Sequence, residues 1–310
     1  MTPRALFAGL CTLDLVQSVE RMPSANEKVT ALRQSVAAGG PATNAAVAFS
    51  FLGGSATLLS AVGAHPLAAG IRADLAEYGV RLVDLTPEAA DPPTMSTIMV
   101  TRGSGDRAVV SVNAAGRRLR PPPDLAELVA AHQVVHLDGH HPDLALAAAR
   151  LAREQGRLTV LDGGSWKPGT AELLPYVDVA VTSADFHPPG TRTPEDTLAH
   201  LRAAGVPWAA VSRGDAPVMW QGPGEARFRP VPAVDVVDTL GAGDVLHGAL
   251  TFALSRLLAG GPAAVSPAGR LTGDTFAAAL DFAIPVASAS CRSFGTRSWM
   301  RRQQRGTRRT

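Results

Sequence analysis

The chain has 310 residues, 46% of them hydrophobic, and a formal net charge of +2. That is enough apolar material for one large α/β domain, or a domain with a small appendage, and too little charge for a general nucleic-acid surface. The charge is also uneven: residues 296–310 hold Arg297, Arg301, Arg302, Arg305, Arg308 and Arg309 with no acid, and without these six the body carries about −4.

A run of this kind at a chain end reads as a solvated tail, and residues 300–310 are expected to be disordered. Cys11 and Cys291 are too few and too far apart for a disulfide framework or a zinc site, which fits a reducing cytoplasm. Asp14 interrupts the first apolar run before it could serve as a secretory signal, and no window offers the roughly 18 uncharged apolar residues of a membrane span. A soluble, cytoplasmic protein with no membrane or nucleic-acid partner is expected.

Residues 4–12 read as one buried strand ending near Asp14, where open α/β sheets present groups to ligands. Asp14 is therefore a candidate acceptor of substrate hydroxyls, against the alternative of an ordinary turn aspartate. Residues 15–37 alternate loosely, as in a small, partly exposed sheet. Gly39-Gly40-Pro41 then opens a helix, with Asn44 one turn in. These glycines either bring backbone donors to a cleft or let the helix pack closely on the sheet.

A strand at 56–63 and a helix at Ala69–Glu77 follow. The strand-like segments Thr97–Thr101 and Arg107–Val112 flank Gly103-Ser104-Gly105-Asp106, a hairpin turn. Paired with 15–37 they would make a small sheet, and Asn113 would face whatever that sheet covers. From about residue 121 helices and strands alternate, which implies a parallel sheet with crossover helices. His136, Asp138 and His140 alternate along one strand, but without a further ligand signature a strand-end pocket histidine or a satisfied surface one is expected rather than a metal site. Lys167 follows a strand through Asp162-Gly163-Gly164 and could neutralise phosphate charge. Asp185, and Ser212 with Gly214, mark two further strand ends.

Residues 238–244, Asp-Thr-Leu-Gly-Ala-Gly-Asp, run directly into an apolar helical pattern at 244–258. A glycine-rich turn at a helix start holds anions through unpaired N–H groups and the helix dipole. Asp244 beside such a site either caps the helix or takes a proton from an attacking hydroxyl. Lys28 and Lys167 are the chain's two lysines, and neither completes a P-loop; Leu246 stands where a dinucleotide fingerprint needs glycine.

Gly9 to Asp14, Gly39-Gly40 with Asn44, and Asp238 to Asp244, in this order over roughly residues 4–299, resemble the ribokinase or PfkB-type carbohydrate kinase family. The resemblance implies one kinase domain over 1–299, a doubly wound, mostly parallel sheet flanked by helices, with a β-sheet lid formed by about 15–37 and 95–113. It implies ATP as phosphoryl donor, Mg²⁺, and a small sugar as acceptor, with a primary hydroxyl, on a ketose for instance, as the attacking group. Asp244 would be the general base, with the amides of Gly241, Ala242 and Gly243 as anion hole. Asp14, Gly39, Gly40 and Asn44 would bind the sugar, joined by Lys28, Asn113 and His140. Lys167, Asp185, Ser212, Gly214 and Thr239 would serve the nucleotide, and Asp238 would lie near a monovalent cation such as K⁺. Thr182-Ser183-Ala184-Asp185 departs from the Asn-x-x-Glu common in such kinases, which puts the handling of Mg²⁺ by Asp185 in question. A nucleoside kinase and a non-catalytic sugar- or nucleotide-sensing protein are the alternative readings, and a homodimer through the lid is expected from its exposed edges.

Overall fold

Short apolar runs bounded by turn residues become strands here, and runs with helical spacing become the crossovers between them. A computed structural model describes residues 2–258, 269 and 271–301. The first half contains β1 (Arg4–Ala8), β2 (Thr12–Val19), β3 (Arg33–Gly39), α1 (Pro41–Phe51), β4 (Ser55–Ser60), α2 (Ala68–Glu77), β5 (Arg81–Asp84), β6 (Met95–Thr101) and β7 (Arg107–Ser111). The remainder contains α3 (Leu125–Ala130), β8 (Val134–Leu137), α4 (Pro142–Glu154), β9 (Leu158–Gly163), α5 (Thr170–Leu173), β10 (Val179–Ser183), α6 (Pro194–Ala203), β11 (Trp208–Arg213), β12 (Ala216–Gln221), β13 (Arg227–Arg229), α7 (Ala242–Leu258) and α8 (Gly273–Ser290).

The main sheet runs β13-β12-β11-β10-β9-β8-β1-β4-β5. From β11 to β5 every neighbouring pair is parallel, and only β12 and β13 join antiparallel. Both faces are covered, so its strands are apolar throughout. Ala5 and Phe7 face the core shared with α1, α7 and α8, while Leu6 and Ala8 face the core under α3, α4 and α6. The order reverses at β1. The chain first builds outward through β4 and β5, then returns to add β8 on the other side, so a crevice opens beyond the ends of β1 and β8.

The second sheet runs β3-β2-β6-β7. Its register puts Ala37, Asp14, Ser96 and Ser111 in one row on one face, and Val36, Leu15, Thr97 and Val110 in a row on the other. The first row is polar and turned toward the crevice. The second is apolar except for Thr97 and outward, with Val36 and Val110 55% and 71% exposed.

One expected element divides in two. The run 4–12 is not a single strand: β1 stops at Ala8, and Thr12 already belongs to the lid. A continuous apolar run cannot signal a change of sheet. Asp14 consequently lies within a lid strand, not at the end of a strand of the main sheet. Residues 302–310 of the basic tail lie outside the described residues. Met300 is buried in the core, so it does not read as part of a solvated tail, whereas Arg301 is exposed and pairs with Glu77 at 3.3 Å. Among the described residues, no helix is long and apolar enough to cross a membrane.

Candidate active site

Helix α7 crosses α1 closely because both present small residues at the contact. A Cβ on Gly248 would lie only 2.4 Å from the carbonyl oxygen of Ala45. This approach sets Asn44 against Asp244: Nδ2 donates to Oδ2 at 2.7 Å, across 200 residues of chain. Asp244 lies in the first turn of α7. Burial pushes its carboxyl up to about 7; the Asp162 charge adds to the rise, and the Asn44 bond and His247 oppose it. A carboxylate with such a value takes a proton near neutral pH far more effectively than an ordinary aspartate.

The turn before α7 is held from below. Asp238, 2% exposed, accepts the Leu240 amide at 2.9 Å and the Gly295 amide at 2.9 Å. Gly241 adopts φ 73°, a left-handed conformation open to glycine without strain. Among the described residues, the amides of Gly241, Gly243 and Asp244 have no protein acceptor. The Ala242 amide instead donates to the Thr239 carbonyl at 3.2 Å. The donors this turn leaves free are therefore the amides of Gly241, Gly243 and Asp244, and the Ala242 amide, expected among them, is spent within the turn. The Thr239 hydroxyl accepts from Arg107 of β7 at 2.9 Å, which ties the lid to this turn.

Across the crevice, Asp14 accepts from Thr12 Oγ1 at 2.6 Å and is nearly buried. Burial raises its pKa, and the Thr12 and Ser96 hydroxyls with Arg297 oppose the rise. Gly39 gives it room, and Gly40 makes room for the Leu10 carbonyl. A Cβ on Gly39 would meet Asp14 Oδ2 at 1.9 Å, and one on Gly40, at φ 93°, would meet the Leu10 carbonyl oxygen at 2.4 Å. The close-packing alternative thus applies to both glycines: Gly39 admits the candidate ligand Asp14, and Gly40 admits the Leu10 carbonyl.

Asp138, at the end of β8, is fully committed to the scaffold. It accepts amides from Leu10 at 2.8 Å, Ala42 at 3.2 Å and His140 at 3.0 Å. Burial would raise its pKa, but His140 and these amides leave it below the ordinary value. It pins the end of β1 to the start of α1 at the point where the strand order reverses. His136 is an interior residue, bonded to Thr251 Oγ1 at 3.1 Å and driven down to about 3 by burial. Among the described residues, no group of three or more His, Cys, Asp and Glu comes together to hold a metal.

Behind Asp244 lies a buried pair, His247 Nδ1 to Asp162 Oδ2 at 3.3 Å. His247 also bonds the Gly243 carbonyl at 2.7 Å and the Val181 carbonyl at 3.0 Å, so one side chain ties the glycine turn before Asp244 to β10. Lys167 is half-buried, its Nζ donating to Ser165 O at 3.3 Å, and its charge acts on Asp138 and Asp162. His140 is half-buried beside the same groups; burial depresses its pKa and Asp138 opposes the fall. At the neighbouring strand ends, Ser212 Oγ donates to Thr182 O at 3.2 Å, Gly214 makes the β11–β12 turn at φ 65°, and Asp185 is exposed.

Lys28 and Asn113 stand apart. Both are exposed, and among the described residues neither hydrogen-bonds to Asp14, Asn44 or Asp244. Asn113 takes φ 49° and accepts from Thr94 Oγ1 through its backbone at 3.1 Å, so it shapes the loop after β7.

Arg297 was expected in a solvated tail, and the structure overturns this. It is 6% exposed, pairs with Asp74 at 3.0 Å and donates to Asn44 Oδ1 at 2.9 Å. The count of basic residues concealed it. The available signal was its setting, between Phe294-Gly295-Thr296 and Trp299-Met300, which is too apolar for a frayed end.

Residues 3–302 match the sequence profile of the pfkB family carbohydrate kinases. The chain belongs to this family. The kinase is 24% identical over 295 residues to the ribokinase of Bacillus subtilis, covering 94% of each chain. It superposes on the ribokinase of Giardia lamblia with a TM-score of 0.82 at 19% identity, over 99% of each chain. Arabidopsis thaliana ribokinase complexed with ribose and ATP superposes with a TM-score of 0.74 at 21% identity, over 97% of this chain and 96% of that one. The ribokinase-like architecture, with a large, mostly parallel sheet and a second small sheet, accords with the expectation from the three motifs.

Proposed function

We propose that this kinase transfers the γ-phosphoryl group of ATP to a primary hydroxyl of a small sugar, in the cytoplasm. The observation that carries the reading is the 2.7 Å bond from Asn44 to Asp244 in the first turn of α7, where the Gly241, Gly243 and Asp244 amides have no protein acceptor among the described residues. Phosphoryl transfer demands in-line positioning and neutralisation of charge rather than covalent help, and these groups supply both. Asp244 takes the proton from the hydroxyl as it attacks. The three amides hold the oxygens of the transferring group, and the positive end of α7 favours the charge that develops there. Asp14 and Asn44 orient the sugar beneath the lid, where Ser96 and Ser111 continue the polar row.

The nucleotide belongs over the ends of β9, β10 and β11, near Lys167, Ser212 and Gly214. Mg²⁺ fits such a site as a partner of the nucleotide phosphates, held with one or two carboxylates rather than by a protein cage. Exposed Asp185 is one carboxylate at that edge. A monovalent cation such as K⁺ would have to share Asp238 with the two amides it already accepts, and no step requires it. The free, buried Cys11 and Cys291 accord with a reducing compartment.

We also assign the outward apolar row of the lid, Val36, Leu15, Thr97 and Val110, to contact with a second copy of the chain, and sedimentation at micromolar concentration tests this. A lone monomer would refute the assignment.

The deciding experiment measures ADP release from ATP and Mg²⁺ across ketoses, aldoses and nucleosides, with Asp244→Asn as control. Acceptor-dependent release that falls by about 100- to 10,000-fold in Asp244→Asn is expected. Saturable sugar binding with no release by the wild-type protein would instead make it a sensor.

A further inference from the structure

Arg297 has no part in the chemistry above, yet it is one of the most completely paired charges near the site. Its Nε and Nη2 donate to Asp74 Oδ2 on α2 at 3.1 and 3.0 Å. Nη2 also donates to the Ala38 carbonyl on β3 at 2.6 Å, and Nη1 to Asn44 Oδ1 on α1 at 2.9 Å. The guanidinium lies over the Tyr78 ring at 5.6 Å. One side chain from the segment after α8 thus joins the root of the lid, the second helix and the helix that carries Asn44.

The chemistry of the partners makes one of these bonds directional. A guanidinium has donors and no acceptor, so the Asn44 atom facing Nη1 must be its oxygen. The NH₂ group is then left facing Asp244. An amide turned by half a revolution exchanges oxygen for nitrogen with almost no change of shape, and would set Oδ1 against a carboxylate oxygen. Packing alone does not distinguish the two orientations; Arg297 does.

Resting on the assignment of Asp244 as base, we propose that Arg297 is a positioning residue that locks the Asn44 amide in the orientation that donates to Asp244, keeping that carboxylate ionised and aimed at the attacking hydroxyl. The other groups acting on Asp244 are Asp162 on β9, His247 on α7 and Asp14 on β2, and Asp162 in turn faces Asp138, His140 and Lys167. None of these contacts the Asn44 oxygen, so none substitutes for the guanidinium in setting the amide.

The test is the pH dependence of kcat/KM for wild type, Arg297→Lys, Asn44→Ala and the double variant. Lysine keeps the charge beside Asp74, but a compact ammonium cannot serve Asp74, Ala38 and Asn44 in one geometry. Loss of a hydrogen bond to a charged group moves the acid limb upward by about one pH unit. We expect this displacement in Arg297→Lys and in Asn44→Ala, and no further displacement in the double variant, because orientation loses its meaning once the amide is gone. A fall in kcat with an unmoved limb, or displacements that add, would overturn the proposal and leave Arg297 a purely structural residue. If Arg297→Lys does not fold, the wild type still decides. The Asn44 side-chain NH₂ resonances must titrate together with the acid limb, and signals indifferent to pH refute the lock. An active Asp244→Asn enzyme would remove the base itself, whereas an inactive one with an unmoved Arg297→Lys limb defeats only the role given to Arg297.

Discussion

Gly248 offers a way to move the Asp244 carboxylate, the proposed base, without touching it. It lies four residues after Asp244, where α7 crosses α1. The Cβ of Gly248→Ala would sit 2.4 Å from the Ala45 carbonyl oxygen and 2.8 Å from Ala48 Cβ, so regaining an ordinary contact of 3.4 Å requires the helices to part by about 1 Å. Ala45 is the chain neighbour of Asn44. The same displacement stretches the 2.7 Å Asn44–Asp244 bond to about 3.7 Å, beyond hydrogen-bonding range. Overpacking costs about 1–3 kcal/mol, while replacing glycine in a helix returns about 1 kcal/mol, so the net loss of stability is small. Rate is the sharper readout, because misplacement of a reacting group by about 1 Å costs about 100-fold. We expect Gly248→Ala to unfold in denaturant cooperatively and close to wild type, and to release ADP with kcat/KM lower by about 100-fold, assayed well below its melting temperature. Near-normal turnover in a folded variant would show that the crossing does not set the Asn44–Asp244 geometry.

Two further predictions concern the carboxylates. Because burial raises the Asp244 pKa to about 7, the folded state binds this proton more tightly than the unfolded chain does. Its contribution is complete below the ordinary carboxylate value and disappears as pH rises through about 7. Wild type should therefore lose melting temperature relative to Asp244→Asn between about pH 5 and about pH 8; a gap that does not vary with pH would refute the buried-proton account. At Gly39 the added methyl of Gly39→Ala meets Asp14 Oδ2 at 1.9 Å and must displace it. Loss of one hydrogen bond to a charged group then raises the KM for the sugar by about tenfold, with little effect on that for ATP. An unchanged sugar KM would take Asp14 out of the acceptor site.

The amino-acid pattern alone determined the class of fold, and it located the stretch proposed as the reacting centre. Glycines and aspartates at 238–244, running straight into an apolar helix, specify a turn with free backbone donors and a carboxylate beside them, because donors, dipole and side chain are all local to that stretch. The alternation of apolar strand and helix after residue 121 likewise specifies parallel strands, since each crossover is written within a few tens of residues. What the pattern did not reveal depends on contacts between distant segments. The turn at Gly9 moves the chain from one sheet to another inside a single apolar run, Asp138 serves as a strut because Leu10 and Ala42 fold onto it, and Ala242 spends its amide on Thr239 within the turn. Arg297 meets Asn44 across 253 positions, and Asn44 meets Asp244 across 200. No local signal encodes such meetings: residue type sets what each group can donate or accept, and only the close packing of α1, α2 and α7 decides which donor reaches which acceptor.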